Sequence, residues 1–163
     1  MELPKRKPNR LHNYNYSQKG SYFITICTEE KQLLLCRIRS GTVVEPPAVI
    51  LSQYGEIVQQ KIRSFPGFYP GVEIEKFVIM PNHIHMILSF DTDENASQIP
   101  ANHKLPALIS AFKRFTNRES GISLWQRSYY DHVIRNDRDY QNIWKYIDDN
   151  PAKWMEDRFY IPE

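Results

Sequence analysis

The sequence predicts an α+β fold in which an antiparallel sheet is covered by helices. Three observations carry that expectation. Short runs rich in β-branched and aromatic residues recur along the chain, some in strict apolar–polar alternation. Between them lie stretches whose apolar residues fall at helical spacing. The two kinds follow one another as β-β-β-α-β-β-α-β-α, with no internal repeat. At 163 residues the chain is long enough for one domain with a real core and too short for two. Residues 1–163 are therefore read as one domain, with a basic arm at 1–15 and a mobile loop at 91–104.

Taken in order, Ser21 to Thr28 (SYFITICT) has the composition of a strand. The apolar runs Leu33 to Ile38 and Thr42 to Val44 flank Ser40-Gly41 and predict a hairpin. Ser52 is placed to cap a helix whose residues Tyr54, Ile57, Val58, Ile62 and Phe65 share one face, with Pro66-Gly67 as its stop. Val72 to Met80 (VEIEKFVIM) begins in alternation and ends as a buried run. The turn Pro81-Asn82 leads from it into an antiparallel partner, His83 to Phe90 (HIHMILSF). Asp91 to Lys104 is polar and acidic, which predicts a loop. Leu105 to Arg118 predicts a helix with Leu108, Ile109, Phe112 and Phe115 inward and Lys113, Arg114 and Arg118 outward. Tyr129 to Ile134 reads as a strand. Asp137 to Asp149 reads as a helix begun by Asn136 or Asp137 and ended at Asn150-Pro151, since proline disfavours a helical residue before it.

Composition narrows the function classes. Hydrophobic residues at 41% and charged residues at 25% are ordinary for a soluble globular chain. No stretch approaches the roughly 20 apolar residues that span a bilayer, so no membrane role is expected. The basic opening MELPKRKPNR has no apolar segment behind it, which argues against a secretory signal and for a cytoplasmic protein. Cys27 and Cys36 sit in strand-like sequence and read as reduced core thiols. A net charge of +2 does not by itself identify a nucleic-acid partner. Basic residues nevertheless cluster at Lys5, Arg6, Lys7 and Arg10, at Arg37 and Arg39, at Lys113, Arg114 and Arg118, and at Arg135 and Arg138. Acidic ones gather at Asp91 to Glu94 and around Asp148, Asp149, Glu156 and Asp157. That distribution suits a positive face for phosphates, although scattered solvated charges explain it equally well.

Two constellations carry chemistry. His83 and His85 stand at i and i+2 in a strand, so both imidazoles project from one face while Ile84 points to the other. Such a pair is half a site for a divalent cation; the plainer alternative is two satisfied polar residues on a half-exposed sheet. Neither cysteine stands in a C-x-x-C pair, which disfavours structural zinc. On the last helix Tyr140, Ile143, Trp144 and Ile147 make an apolar stripe. Tyr146 falls on its border, and Asn150 lies one turn further on at i+4. A border tyrosine can be anchored by the core and still reach substrate. Tyr129, Tyr130 and Tyr140 compete for any such role, and periodicity makes Tyr146 eligible without choosing it.

These residues carry a resemblance. The segments RLHNYNYSQKGSYFITICT, FVIMPNHIHMIL, FKRFTNR, WQRSYYDHVIRND and YIDDNPAKW, in this order over nearly the whole chain, resemble the IS200/IS605-like tyrosine transposases, and among them the branch associated with repetitive extragenic palindromes. The histidine–hydrophobic–histidine motif follows a Met-Pro-Asn turn, and YIDDNP matches the family's tyrosine-plus-four-asparagine pattern. The resemblance implies a ferredoxin-like α+β fold, Tyr146 as nucleophile, and His83, His85 and Asn150 as ligands of Mg²⁺ or Mn²⁺. It also implies a monomer or a homodimer. The expected substrate is single-stranded DNA beside a hairpin, in the cytoplasm at the nucleoid. Lys5, Arg6, Lys7 and Arg10 of the arm and Lys113, Arg114 and Arg118 of the FKRFTNR helix are the expected phosphate contacts. Tyr14, Tyr16 and Trp125 are candidates for stacking on unpaired bases. A non-catalytic nucleic-acid-binding module and a small-molecule phosphohydrolase are the competing readings.

Overall fold

The computed structural model describes residues 20–69, 71–90 and 104–163, so the basic arm with Lys5, Arg6, Lys7, Arg10, Tyr14 and Tyr16, and almost all of the predicted loop, lie outside the described residues. The elements are β1 (Gly20–Cys27), β2 (Cys36–Arg39), β3 (Ala48–Leu51), α1 (Gln53–Phe68), β4 (Val72–Met80), β5 (His83–Phe90), α2 (Lys104–Ser120), β6 (Tyr130–Ile134) and α3 (Asp137–Asp149). Four strands form an antiparallel sheet in the order β4-β5-β1-β6, and β2 pairs β3 in a separate small sheet. Apart from that small sheet, β1-α1-β4-β5-α2-β6 is the ferredoxin-like β-α-β-β-α-β plan.

Period-two alternation gives the sheet two unlike faces. From β1, Tyr22, Ile24 and Ile26, and from β5, Ile84, Met86, Leu88 and Phe90, enter one apolar core with Val58, Ile62 and Phe65 of α1 and Leu105, Leu108, Ile109 and Phe112 of α2. Each fully buried large side chain there contributes about 1.5–3 kcal/mol. The alternate residues Phe23, Thr25, Cys27, His83 and His85 belong to the opposite face. Register sets Thr25 opposite His85 and Cys27 opposite His83.

Several local expectations need correcting. The hairpin's return strand is Ala48–Leu51, not Thr42 to Val44. The Thr42 hydroxyl accepts the backbone N–H groups of Val44 and Glu45, closing a turn there, and Val43 and Val44 stand in solvent. Ser52 does cap α1, its hydroxyl accepting from Gly55 N–H at 3.1 Å. Pro66-Gly67 does not end that helix, which runs to Phe68: the proline costs only its own N–H bond to the carbonyl one turn back, and the helix stops two residues later. Gly55 is required by close approach, since a Cβ there would lie 2.0 Å from the Leu35 carbonyl oxygen. Helix α2 already includes Lys104. Phe115, expected inward, is half-buried. Trp125 is core: it is 5% exposed and its indole N–H donates to the Thr116 hydroxyl at 2.8 Å. Cys27 and Cys36 are both buried and unlinked. Among the described residues, no helix is long and apolar enough to cross a membrane.

Helix α3 has the predicted bounds and the Asn136 cap, whose side chain accepts from Asp139 N–H. Its stripe is mostly half-buried, with Ile147 alone fully enclosed. Polar contacts to β4 complete its docking: the Tyr140 hydroxyl donates to Glu75, Lys76 pairs with Asp148, and the Lys76 ammonium lies 4.3 Å from the Trp144 ring centre. A register shift between Ile74 and Lys76 leaves Glu75 as the extra residue at this point. Asn150 keeps helical dihedrals (φ −58°, ψ −45°) in spite of Pro151. The chain then turns through a 3-10 segment at Trp154–Glu156 and returns to the sheet, where Trp154 and Phe159 pack with Cys27 and Met80.

Candidate metal and nucleophile site

The site is built on the end of β5. Asn82, the last residue of the turn before it, accepts from His83 Nδ1 through Oδ1 at 2.8 Å. An amide oxygen only accepts, so the His83 proton is on Nδ1 and the lone pair is on Nε2. His85 Nδ1 is hydrogen-bonded to the Thr25 hydroxyl at 2.7 Å, across the β1–β5 pair. Each ring is thus oriented by a partner behind it, and the ring centres lie 4.6 Å apart.

In front of the rings the polar atoms lack partners. Both Nε2 atoms and Asn150 Oδ1 are buried without a hydrogen bond. Burial drives the His83 pKa down to about 3 and that of His85 well below the usual range. The nearby Asn150 amide opposes the shift of His83, while Arg158 adds to both. Both imidazoles are therefore neutral at physiological pH, with lone pairs available. Asn150 Nδ2 donates to Asp157 Oδ2 at 3.3 Å, and that oxygen lies 3.9 Å from His83 Nε2. Ligand atoms of His83, His85 and Asp157 all fall within 4.8 Å of one another. A buried polar atom left unsatisfied costs about 1–3 kcal/mol, so three converging on one spot mark a place made for a ligand. Two imidazole nitrogens and oxygen donors suit a divalent cation of the Mg²⁺–Mn²⁺–Zn²⁺ range.

Tyr146 stands at the rim. Its ring centre is 5.3 Å from that of His85 and 6.0 Å from that of Phe23, and it remains 43% exposed. Its pKa is raised, chiefly by burial and then by the Asp157 charge, while the nearby Asn150 amide and the Arg158 cation pull the other way. A cleft of about 260 Å³ opens beside it, lined by Tyr146, Asp149, Asn150, Lys153, Glu156, Asp157 and Arg158. A larger hollow of about 650 Å³ lies between Gly41, Pro47 and the tail, and neither histidine nor Tyr146 lines it.

The structure therefore brings His83, His85, Asn150 and Tyr146 together. It does not bring the α2 cations to them. Lys113, expected outward, turns in: its ammonium donates to the Gln126 and Ser128 carbonyls at 2.8 and 3.0 Å, and burial lowers its pKa to about 8. Arg114 and Arg118 remain exposed about Phe115, on a helix that packs against the opposite face of the sheet from the histidines. Sequence reasoning missed Asn82, Thr25 and Asp157. Asn82 was legible as the residue before the histidine motif, and Thr25 as the neighbour of an alternating strand. Asp157 was visible only as one of several acidic residues near the end.

The fold thus sets a histidine pair on a strand of a ferredoxin-like sheet beside a helix-borne tyrosine. The family model described as "Transposase IS200 like" matches residues 47–150, and the chain belongs to that family. A Haemophilus influenzae protein of uncharacterised function is 34% identical, covering 96% of this chain and 93% of its own length. A REP-associated tyrosine transposase of Escherichia coli K12 is 32% identical over 52% of this chain and 48% of its own. The solved structure of a REP-associated tyrosine transposase bound to a REP hairpin superposes with a TM-score of 0.60 at 22% identity, covering 88% of this chain and 73% of that one. At that identity the likeness speaks to the fold.

Proposed function

We propose that this transposase is a single-strand DNA endonuclease and strand transferase that cuts beside hairpins, with Tyr146 as nucleophile. The observation that carries the proposal is the convergence of three unpartnered buried donors, His83 Nε2, His85 Nε2 and Asn150 Oδ1, next to a half-exposed phenol. These residues would hold Mg²⁺ or Mn²⁺, which when bound polarises the scissile phosphate and offsets charge as the bond order changes. The chain's own part is placement. Thr25 and Asn82 fix the two rings, and Asn150 extends the turn that carries Tyr146. A free phenol has a pKa near 10 and attacks poorly in neutral solution. Here burial, and then the Asp157 charge, hold the Tyr146 phenol above that value, with the Asn150 amide and the Arg158 cation opposing them only in part.

In the proposed step the Tyr146 oxygen bonds to phosphorus and the bond from phosphorus to the 3′ oxygen breaks. The phenolic proton is released, and the departing 3′ oxygen is protonated. The products are a 5′-phosphotyrosine and a free 3′-hydroxyl, and attack by a second 3′-hydroxyl reverses the exchange onto a new strand. Since Tyr146 stands beside the histidines of its own chain, a monomer suffices. The relative solved with a REP hairpin supports hairpin DNA as the substrate. The arm residues Lys5, Arg6, Lys7 and Arg10, together with Arg114 and Arg118, are proposed to hold phosphates away from the cut, in the cytoplasm at the nucleoid. Lys113, already engaged with carbonyls, serves that role least well.

Incubating the protein with Mn²⁺ and single-stranded DNA carrying hairpins tests the proposal. The expected product is an adduct that survives denaturation, present in wild type and absent in Tyr146→Phe. A hairpin library that yields hairpin binding but neither adduct nor cleavage would favour a non-catalytic binding module. Cleavage that persists in Tyr146→Phe would favour a water-using phosphohydrolase.

A further inference from the structure

The tail after α3 is tied to the site by one side chain. Asn82 Nδ2 donates to the Phe159 carbonyl at 2.8 Å while Asn82 Oδ1 accepts from His83, so a single amide fixes both a histidine ring and the returning chain. Phe159 lies against that ring, with centres 4.7 Å apart. Between Asn150 and Phe159 the tail delivers Asp157, whose side chain is 2% exposed. Its Oδ1 accepts from Phe159 N–H at 2.8 Å, and Oδ2 faces Asn150 Nδ2 and His83 Nε2. Among the described residues, His83 is the one basic group whose nitrogen comes within 4.0 Å of this carboxylate, and its Nε2 has no hydrogen-bond partner. Arg158, next in sequence, turns its guanidinium over Tyr130 and Phe159 instead. A carboxylate taken out of water is costly unless it meets a cation or a full set of donors.

We propose that Asp157 is a fourth protein ligand of the cation, supplied by the tail, so that β5, the end of α3 and the returning chain close on it from three directions. The proposal rests on the reading above that the cation sits at His83 and His85. Two imidazoles and an amide are a neutral set with more nitrogen than Mg²⁺ or Mn²⁺ prefers; a carboxylate adds the hard, anionic oxygen these ions select. Binding the cation would then also clamp the tail to the sheet.

The test is calorimetric titration of the full chain with Mn²⁺ and, separately, Zn²⁺, for wild type, Asp157→Asn, Asp157→Ala and His83→Ala. Asp157→Asn keeps an oxygen for the Phe159 N–H and so preserves tail docking. Removing a group that merely supports a metal ligand weakens binding about 10–100-fold, and loss of a ligand should do no less. The expected result is Mn²⁺ affinity reduced by at least about 10-fold in Asp157→Asn, with a smaller loss for Zn²⁺, which imidazoles serve well. Wild-type Mn²⁺ affinity in Asp157→Asn and Asp157→Ala would overturn the proposal. Equal losses for both metals would also overturn it, because they would show a carboxylate that docks the tail and selects no ion. If wild type binds no Mn²⁺, or His83→Ala binds it unchanged, the cation reading itself fails. Dependence on His83 without dependence on Asp157 sinks this inference alone.

Discussion

The two faces of the central sheet are made by the same strands and obey opposite rules. On one face, Ile24, Ile84 and Met86 meet Val58 of α1 and Phe112 of α2 in an apolar layer. On the other, one residue along in β1 and β5, lie Thr25, His83 and His85, with Asn82 and Asn150 nearby and several lone pairs left unmatched. The first face holds the fold together. The second keeps polar atoms out of water without using all of their bonding capacity, which lowers stability in return for a site. Neighbouring residues on one strand therefore meet different physical demands: Ile84 on volume, His85 on hydrogen-bond geometry.

Mutations that separate the two faces test this contrast. Tyr146→Phe is expected to have the largest effect, abolishing the covalent adduct with hairpin DNA. Because the ring is half exposed, its unfolding free energy should stay within about 0.5 kcal/mol of wild type; a large loss of stability in chemical denaturation would mean the site face also bears structural load. Ile84→Ala is expected to cost about 2–5 kcal/mol in the same denaturation experiment, since it empties space in a close-packed layer. Its neighbour His85→Leu should abolish Mn²⁺ binding in calorimetry yet shift metal-free stability by less than about 1 kcal/mol, because an unmatched buried nitrogen is removed as the Thr25 bond is lost. Equal destabilisation by the two substitutions would break the contrast.

Cys36 offers a probe of the dry side. Its thiol is buried, donates to the Ile79 carbonyl, and has its pKa pushed by burial from 9.0 to about 12. The folded pKa lies above the unfolded one, so the thiol's contribution is intact below pH 9 and is lost as pH rises towards 12. Wild type should therefore lose stability relative to Cys36→Ala above pH 9, approaching about 1.4 kcal/mol per pH unit, as followed by denaturation at stepped pH. Parallel pH curves for the two proteins would show that this layer tolerates charge. The smallest effects are expected at Arg114→Ala and Arg118→Ala. Each should leave adduct chemistry intact and reduce the salt slope of hairpin binding by about 1. An unchanged slope would remove α2 from the DNA surface.

Much of this was legible from sequence for reasons that can be named. The i, i+2 spacing of His83 and His85 in a strand put both imidazoles on one face, and the helical period of Asp137 to Asp149 placed Tyr146 at a border. What escaped depends on partners distant in sequence. Nothing local announces that Lys113 bends to the carbonyls of Gln126 and Ser128, that Trp125 finds the Thr116 hydroxyl, or that the tail doubles back to Asn82. Thr42 to Val44 misled because β-branched residues resemble a strand, whereas the threonine hydroxyl takes up the N–H groups a strand would need. Asp157 lies in a short segment without periodicity, where pattern reading has no purchase.

The pairing of Thr25 with His85 has a consequence for how the molecule becomes competent. Because side chains alternate, a slip of β1 by a single position would set Ile24 or Ile26 opposite His85, leaving the imidazole without its anchor and turning greasy side chains toward the tail. Such a misthreaded chain could keep four strands and look folded to circular dichroism while lacking the Thr25–His85 bond on which the proposed cation site rests. Competence for chemistry is in this sense a proofreading mark, written only on molecules whose strands have found their proper alignment.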